Sequence, residues 1–470
     1  MKKRIYFTIE TKVREFYSRI LFSILAAERG YSVVIGSRGH LFRFKDKLKK
    51  GIFLTNGNTI RLSYISTIFK KLGFKIGHLD EEGAITFDYE HHIWRYDFEL
   101  FKKIDFFFCG GEREKKALLS NSLVGNPEKK IIVTGNTRFD LLKENFLKLY
   151  ECDQKKIKEK YGSFVLITTK FNKINAIKKK DSMDWFQDTI NSGYIRRDCD
   201  RYYAEESVKS DTKTKKELEN LLINVDKNFP DIKFLLKPHP GENYEYWNDF
   251  KNKNKQDNLV IVPVNEYHTN AFILACDFMI ASNCTTLLEA YLLKKLGINF
   301  LPDDNTRVHY ELPKAISINC YSTNQLVKNI KSIHSLKKFS RKELSVKEKD
   351  FLSFSIANMN EGSVNKMLDH IEKLKVDDNT TDKFTIYSFL FIYNIKGFFI
   401  KILNKYIRRN SYLQKKQEYM LQKNPGITIS EITTLKDTIC DLLNLDKKFF
   451  IIKILMPGLF TIEKKIKYGL

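Results

Sequence analysis

The chain has 470 residues, of which 43% are hydrophobic and 13% aromatic, and it carries a formal net charge of +24 at pH 7. This apolar content is enough for packed cores and excludes an intrinsically disordered chain. The positive charge favours anionic partners, namely phosphorylated substrates, nucleic acid or an acidic membrane surface. The seven cysteines are scattered without a C-x-x-C pair, which argues against a disulfide framework and a zinc site and favours a reducing compartment.

The first third of the chain alternates short apolar runs with helix-prone stretches. The runs are RIYFTIE, YSVVIGS, GIFLTNG, FKIGHLDEEG, DFFFCGG and KIIVTGN, and a second set comprises YGSFVLITTKFN, IKFLLKPHP, NLVIVP, CDFMIASN and GINFLP. Strands that alternate with helices indicate βαβ units and parallel sheets. The sequence therefore predicts an α/β fold of the GT-B type, in which two Rossmann-like parallel-sheet domains face a cleft, plus a C-terminal helical extension. The predicted parts are residues 1–150, 160–335, a helical return segment at 336–375 and a basic aromatic helical tail at 376–470.

The stretch IKFLLKPHPGE places Lys237, Pro238, His239 and Pro240 directly after an apolar run. Proline fixes φ and removes a backbone donor, so the two prolines hold His239 extended at the carboxyl end of a strand. Ligands of open α/β sheets bind at that edge. The alternative is an ordinary turn that contains an incidental histidine.

The stretch CDFMIASNCTTLLEAYLLKK runs from a predicted strand into a predicted helix. The junction carries small polar residues, Ser282, Asn283, Thr285 and Thr286, and Glu289 follows in the helix. A helix N-terminus attracts phosphate through its unpaired N–H groups and its dipole, although the same residues also serve ordinary N-capping. Glu289 could accept ribose hydroxyls or complement the helix dipole. Because His239 and Ser282 follow strands of one predicted sheet, we expect both to face one crevice.

In the first domain, Asp80, Glu81 and Glu82 precede Gly83 just after a predicted strand. Adjacent carboxylates repel one another, so we expect at least one of them to have a raised pKa or a cationic partner. A carboxylate with a pKa near neutrality can act as a general base towards a sugar hydroxyl. The alternative is a solvated acidic turn.

Together, the acidic LDEEG motif, the His-Pro motif and the SNCTT motif resemble those of the bacterial CMP-sugar transferases, namely sialyl-, polysialyl- and Kdo transferases. KVREF at 12–16, LDEEG and GNTRFD at 135–140 are similar to motifs of the bacterial surface carbohydrate biosynthesis proteins. The resemblance covers about residues 1–330. One departure is that Cys284 interrupts the run of hydroxyl residues.

This resemblance implies a GT-B glycosyltransferase that moves a nonulosonic or Kdo-like acid from a CMP-activated donor onto a surface polysaccharide or a lipid-linked glycan, as in capsule or lipopolysaccharide synthesis. The first domain would bind the acceptor and the second the nucleotide sugar. Glu81 would be the general base with Glu82 as its neighbour. The residues implied to bind the nucleotide are Lys237, His239, Pro240, Ser282, Asn283, Thr285, Thr286 and Glu289. The resemblance implies no metal and no cofactor beyond the donor substrate.

Two other functions are compatible with the sequence. The CDP-glycerol and CDP-ribitol phosphotransferases of teichoic acid synthesis share a His-Pro motif after a strand and a Ser-rich helix start, and they also release a cytidine nucleotide. A nucleic-acid-binding protein would fit the net charge of +24. However, the lysines are spread along the chain and no RNA- or DNA-binding motif is recognisable, so we expect no nucleic-acid partner.

The tail contains an aromatic stretch at 384–410 that lysines interrupt too early for a membrane-spanning helix. Aromatic residues with interleaved lysines are typical of a helix that lies on an anionic membrane surface. The stretch at 447–460 could add a second contact. With no signal peptide at the N-terminus, the sequence predicts a cytoplasmic protein at the inner face of the cytoplasmic membrane. The alternative is that the tail packs on the core.

Overall fold

The computed structural model describes residues 3–45, 48–56, 60–85, 98–120, 128–177, 182–191, 193–195, 197–303, 305–337, 339–374 and 418–465. The membrane contact predicted at 384–410 lies outside these described residues. Within the described part of the chain, no helix is both long and apolar enough to cross a bilayer.

The first sheet is built from the N-terminal part of the chain and completed by two C-terminal strands. Its strands are β1 (Arg4–Ile9), β2 (Ser32–Ser37), β3 (Ile52–Asn56), β4 (Lys75–Leu79), β5 (Phe106–Cys109), β6 (Ile131–Val133), β13 (Phe450–Met456) and β14 (Leu459–Lys464). Their order is β13-β14-β2-β1-β3-β4-β5-β6. β1 to β6 run parallel to one another. β1 to β5 are almost entirely buried and mostly apolar, as expected for a parallel sheet that is covered on both faces.

The second sheet is wholly parallel. Its strands are β7 (Val165–Thr168), β8 (Phe234–Lys237), β9 (Leu259–Ile261), β10 (Met279–Ala281), β11 (Gly297–Phe300) and β12 (Ile318–Cys320). Their order is β12-β11-β10-β7-β8-β9. Two parallel-sheet domains that face a cleft are what the alternating pattern of the sequence predicts.

Helices connect the strands and cover both sheets. Those before β7 are Lys12–Glu28, Arg38–Arg43, Ile60–Lys71, Phe98–Lys103, Glu112–Leu119, Thr137–Asp140 and Lys148–Tyr161. Those between β7 and β12 are Ser182–Asn191, Asp198–Ile223, Val225–Asn228, Tyr244–Asn254, Thr269–Ala275, Thr285–Leu292 and Glu311–Ile316. After β12 come Thr323–Leu336, Val346–Ser355, Ser363–Glu372, residues 418–423 and Ile429–Leu442. Short 3₁₀ turns occupy Glu128–Lys130, Glu144–Phe146, Thr306–Val308 and Lys447–Phe449.

The core of the first domain lies on both faces of its sheet. Alternate residues of β1 point to opposite faces, so that Phe7 joins the helix Lys12–Glu28 while Tyr6 joins the helix Ile60–Lys71. The helices Ser363–Glu372 and Ile429–Leu442 also pack on the face of Phe7. The end of the chain therefore contributes to the hydrophobic core of the N-terminal domain.

The C-terminal tail differs from the all-helical prediction at residues 450–464. β13 and β14 form an antiparallel hairpin, and β14 pairs antiparallel with β2. Phe450, Leu459 and Ile462 are buried in the first-domain core. Phe450 and Leu459 are therefore not available for the membrane contact predicted at 447–460, which stays a prediction for the exposed residues of that stretch. The hairpin covers the edge of β2, which would otherwise present unpaired backbone groups.

Candidate functional site

The carboxyl ends of β1, β4, β7, β8 and β10 open into one cavity of about 570 Å³ between the two sheets. This volume is within the range of small-molecule sites. The predicted site residues that line it are Glu81, Glu82, Lys237, His239, Pro240, Asn283, Thr285, Thr286 and Glu289. Ser282 does not line this cavity, although its neighbours do. The structure therefore brings the acidic, His-Pro and Thr-rich motifs together at one cleft.

His239 is held in one orientation by its own loop. The backbone N–H of Gly241 donates to Nδ1 of His239 at 3.0 Å. Burial, and then the positive charges of Lys423 and Arg14, lower the pKa of His239 to about 3. The ring is therefore neutral at pH 7, and because Nδ1 accepts a hydrogen bond, its proton is assigned to Nε2. His239 consequently presents an N–H donor, which suits an anion and does not suit a general base.

The loop that carries His239 is anchored by the buried carboxylate of Glu242. This carboxylate accepts hydrogen bonds from Thr169 Oγ1 at 2.7 Å, from the backbone N–H of Phe171 at 2.8 Å and from Trp247 Nε1 at 3.0 Å. The backbone N–H of His239 also donates to it, at 3.3 Å. These bonds fix the position of His239 through the second-domain core.

The helix Thr285–Leu292 begins at the cleft without a side-chain cap. Its N-cap residue is Cys284, which makes no capping hydrogen bond. Thr286 Oγ1 lies 2.8 Å from Thr168 Oγ1, and Thr285 also lines the cleft. Ordinary capping by a hydroxyl side chain therefore does not account for this polar stretch. The first turn directs its N–H groups and the positive end of the helix dipole towards the cleft.

Lys237 and Asn283 line the cleft, but the protein itself uses their polar groups. Lys237 Nζ donates to the carbonyl oxygens of Pro263, Val264 and Glu266 at 3.3, 3.0 and 3.2 Å. Burial lowers the pKa of Lys237 to about 7. Asn283 has a φ of +51°, and its Nδ2 donates to the carbonyl of Val308 at 2.6 Å. These contacts support structural roles instead of the predicted nucleotide contacts.

Glu289 forms an ion pair with Arg138 across the two domains, and both side chains are 9% exposed. Arg138 belongs to the GNTRFD motif, which follows β6 of the first domain. The carboxylate that could have accepted ribose hydroxyls is therefore engaged by a guanidinium in this structure.

Glu81 is buried in an ion pair with Arg19. Its backbone carbonyl accepts from Arg138 Nη1 at 3.2 Å and from Asn136 Nδ2 at 3.4 Å. Burial raises the pKa of Glu81, but the charges of Arg19, Arg138 and Arg14 outweigh that effect and hold the pKa below its usual range. The expected cationic partner is present, and a carboxylate with a lowered pKa is a poor proton acceptor at neutral pH.

Glu82 lies closer to the solvent of the cleft. Its side chain is 45% exposed and accepts from Arg14 Nη1 at 2.7 Å. The backbone N–H of Glu82 donates to Asp80 Oδ1 at 2.9 Å, which fixes the turn after β4. Of the two carboxylates predicted to be catalytic, Glu82 is the one that a bound substrate could reach.

Sequence reasoning missed a second neutral histidine in the cleft. His268 Nδ1 accepts from the backbone N–H of Asn270 at 3.1 Å, and its ring lies 4.8 and 5.1 Å from the rings of Tyr17 and Tyr150. Burial, and then the charges of Arg138 and Lys237, lower its pKa to about 3. Its only sequence signal was its position before the helix Thr269–Ala275, where it serves as the N-cap.

The two walls of the cleft carry different charges. The first-domain wall contributes the carboxylates Glu10, Asp80, Glu81 and Glu82, with Arg14 and Arg138 as its cations. The second-domain wall contributes Lys170, Lys173 and Lys237, with Glu289 as its carboxylate. An anionic ligand is therefore favoured on the second-domain side. Among the described residues, no three His, Cys, Asp or Glu side chains are grouped as a metal site would require.

No protein family model matches this chain, and no curated protein matches it. Among solved structures, the wall teichoic acid polymerase TagF is similar with a TM-score of 0.51 and 12% identity, over 79% of this chain and 88% of that chain. Two UDP-GlcNAc 2-epimerases share 16% identity with this chain. The enzyme from Methanocaldococcus jannaschii has a TM-score of 0.49 over 79% of this chain and 100% of that chain. The enzyme from Neisseria meningitidis has a TM-score of 0.48 over 80% of this chain and 100% of that chain.

At these identities the similarity establishes the fold alone. The chain has a GT-B fold. This confirms the fold class that the sequence predicts.

Proposed function

We propose that the protein is a transferase that uses a cytidine-nucleotide-activated donor, and that the donor is a CMP-linked acidic sugar. The observation that carries this proposal is the position of the His239 donor on the cationic wall, opposite the exposed carboxylate Glu82 on the acidic wall. A donor phosphate on one wall and a base on the other is the arrangement that group transfer to a hydroxyl requires.

The second domain is proposed to bind the donor nucleotide. His239 Nε2–H and the uncapped N-terminus of the helix Thr285–Leu292 would hold the phosphate as hydrogen-bond donors. Lys170, which lines the same wall, pairs with Asp211 at 3.4 Å and would add positive charge. Stabilising the negative charge that develops on the leaving CMP is the main catalytic contribution expected from this wall.

The first domain is proposed to bind the acceptor, with Glu82 as the general base. Glu82 replaces Glu81 in this role because Arg19 holds Glu81 in a buried ion pair. Glu82 would take the proton of an acceptor hydroxyl as that oxygen attacks the anomeric carbon of the donor. The acceptor is proposed to be a surface polysaccharide or a lipid-linked glycan.

The alternative function is transfer of a glycerol phosphate or ribitol phosphate unit from a CDP-linked donor, as in teichoic acid synthesis. The fold similarity to a wall teichoic acid polymerase favours this alternative. A second phosphate could be held by Lys170 and Arg14, which both act on the pKa of His239. The two functions share the cytidine nucleotide and differ in the group transferred.

The first experiment measures thermal unfolding with CMP, CDP, UDP and GDP. We expect CMP and CDP to raise the melting temperature, because a ligand at ~100 times its Kd stabilises the folded state by about 2.7 kcal/mol. His239→Asn keeps an acceptor for the Gly241 N–H and removes the Nε2 donor, so it should abolish the stabilisation. His334→Asn, on the helix Thr323–Leu336 outside the cleft, is the matched control. Stabilisation by UDP or GDP but not by CMP or CDP would overturn the cytidine assignment.

The second experiment separates the two donors. The purified protein is incubated with CMP-sialic acid, CMP-Kdo or CDP-glycerol and a glycan acceptor, and the released CMP is quantified. CMP release from a CMP-sugar supports the glycosyltransferase, whereas release from CDP-glycerol alone establishes the alternative.

A further inference from the structure

Residues 418–424, which we call the strap, pass between the two domains at the mouth of the cleft. Gln422 Nε2 donates to the carbonyl oxygens of Pro240 and Glu242 at 3.0 and 2.8 Å. Asn424 Nδ2 donates to the carbonyl of Ile9 at 3.4 Å. The strap therefore contacts both the loop that carries His239 and the end of β1.

Two strap side chains line the cleft itself. Tyr419 and Lys423 are among its lining residues, and Lys423 Nζ lies 5.2 Å from the centre of the Tyr419 ring. A Cβ atom placed on Gly241 would lie 3.4 Å from Tyr419 Cε2, so the tyrosine covers the same loop that orients His239. The cleft is thus completed by a segment that begins at residue 418, well after the second sheet ends at Cys320.

The positive charge of Lys423 also acts on His239, as expected of a residue that binds the same ligand. Burial is the largest cause that lowers the pKa of His239, and the charge of Lys423 is the next largest, ahead of Arg14. Lys423 and His239 line the same cleft, and the charge of the ammonium is felt at the imidazole. An anion bound at His239 would lie in the field of Lys423.

In this structure Lys423 pairs with Glu10 at 3.0 Å, and Arg38 pairs with the other oxygen of the same carboxylate at 3.1 Å. Glu10 therefore keeps a cationic partner if Lys423 turns towards a ligand. The lysine side chain is 14% exposed and has the flexible four-carbon stem that such a movement needs.

We propose that Lys423 is a substrate-binding residue, whose ammonium the strap places beside His239 to bind a phosphate or carboxylate of the substrate. The anion belongs either to the donor nucleotide or to the acceptor, and the experiment distinguishes these sources. This inference rests on the proposed function only where it names a cytidine nucleotide. Binding of an anion by Lys423 does not depend on that function.

The test compares Lys423→Met with Lys423→Arg, which restores the charge. Lys447→Met is the matched control, because Lys447 lies in the same C-terminal region and pairs with Asp441, and neither residue lines the cleft. The Kd values for CMP, CDP and inorganic pyrophosphate are measured by titration calorimetry, and the KM for the acceptor is measured by CMP release. Unfolding curves confirm that each variant is folded. If Lys423→Met does not fold, the comparison of Lys423→Arg with the wild type still tests the proposal.

We expect Lys423→Met to weaken binding of the anion by about tenfold to a hundredfold, as for loss of a hydrogen bond between charged groups, and Lys423→Arg to recover most of it. If the anion is a donor phosphate, Lys423→Met raises the Kd for CMP. If the anion belongs to the acceptor, Lys423→Met leaves that Kd unchanged and raises the acceptor KM. Wild-type Kd and KM in Lys423→Met would overturn the inference while the proposed function stands. If the wild type binds pyrophosphate through Lys423 but no cytidine nucleotide, the proposed function falls and the inference stands. If the wild type binds neither pyrophosphate nor a cytidine nucleotide, the inference and the proposed function are both wrong.

Discussion

Arg19 and Glu81 form an ion pair in which the side chains are 0% and 4% exposed. Arg19 also donates from Nε to the backbone carbonyl of Thr8 at 3.1 Å, at the end of β1. The pair therefore links the helix Lys12–Glu28, β1 and the acidic turn after β4. It gives Glu81 a structural role, whereas Glu82 lines the cleft with a side chain that is 45% exposed.

Glu81→Gln and Glu82→Gln should consequently have different effects. Glu81→Gln removes the closer charge partner of the buried Arg19 guanidinium and leaves it only Glu15, at 3.6 Å, so we expect a loss of about 3 kcal/mol in unfolding free energy. Glu82→Gln removes a half-exposed ion pair, which costs at most about 1 kcal/mol, but it should lower turnover by ~10²-fold. Urea unfolding and CMP release measure the two quantities.

The control for these substitutions is Glu112→Gln, an exposed position in the same domain, which should change neither quantity. Wild-type stability together with lost turnover in Glu81→Gln, and normal turnover in Glu82→Gln, would return the base to Glu81.

The two cleft histidines predict an acid-dependent loss of stability. The pKa of His239 and that of His268 are each lowered to about 3 in the folded protein, against about 6.5 in the unfolded chain. The unfolded state therefore binds more protons between these values, and stability falls as the pH falls from 6.5 towards 3. From pH 7 to pH 5 each histidine should cost about 2 kcal/mol.

Asparagine is the appropriate replacement at both positions, because its Oδ1 can accept the backbone hydrogen bond that Nδ1 accepts now. His268→Asn should therefore lose about 2 kcal/mol less stability than the wild type between pH 7 and pH 5, and His239→Asn should behave in the same way. Urea midpoints at the two pH values measure this, with His334→Asn as control. Equal losses in wild type and His268→Asn would show that His268 titrates normally.

The Arg138–Glu289 pair joins the two domains across the cleft. Arg138→Met or Glu289→Met alone leaves one charge buried without this partner, so we expect each to lower the unfolding free energy by about 3 kcal/mol or more. The double variant removes both charges and should be more stable than the sum of the two losses predicts. A double-mutant cycle from urea unfolding measures the coupling. Additive losses would show that the two side chains do not interact.

The sequence was sufficient for β1 to β11 and for the place of the cleft, but not for β12 or the C-terminal hairpin. The apolar runs before Asp80, before Pro238 and before Ser282 end at polar turns, and β4, β8 and β10 end at those points. In a parallel sheet such ends meet at one edge, so the proximity of His239 and Thr285 could be predicted from two local patterns. Glu82 follows a strand of the other sheet, and its place in the same cleft follows from the predicted GT-B arrangement of two sheets.

The pairing of charges could not be predicted in that way. Arg19 lies within a helix whose pattern is amphipathic, and nothing local indicates that it faces Glu81, 62 positions later in the chain. Lys423 is 413 positions from Glu10. Such contacts depend on the packing of whole domains, whereas strand and helix patterns depend on neighbouring residues.

The sequence does contain a local signal for the C-terminal hairpin, but the aromatic and basic composition of the tail obscured it. Pro457 and Gly458 form the turn between β13 and β14, and Gly458 has a φ of +73°. A Pro-Gly pair between apolar runs is a turn signal. The aromatic residues and lysines before it had favoured a helix on a membrane.

Membrane binding by residues 384–416 remains a prediction, and the structure determines how it must be tested. Truncation after residue 376 would remove the strap and also β13 and β14, so it would damage the cleft and the first sheet. The test should instead neutralise basic residues inside the segment, which contains nine aromatic and seven basic residues. Suitable glutamine substitutions are at Lys405, Arg408, Arg409, Lys415 and Lys416.

The wild type should sediment with anionic liposomes but not with zwitterionic ones, because each basic residue near an anionic surface contributes ~1 kcal/mol. High salt should reduce the sedimentation, because salt screens that attraction. The variant with all five substitutions should lose most of this binding, while CMP still raises its melting temperature. The matched control makes the same change of net charge at exposed lysines outside the tail, namely Lys213, Lys216, Lys227, Lys253 and Lys349. An equal loss of sedimentation in both variants would mean that net charge, and not this segment, drives binding. Unchanged sedimentation of the tail variant would mean that the protein contacts the membrane elsewhere.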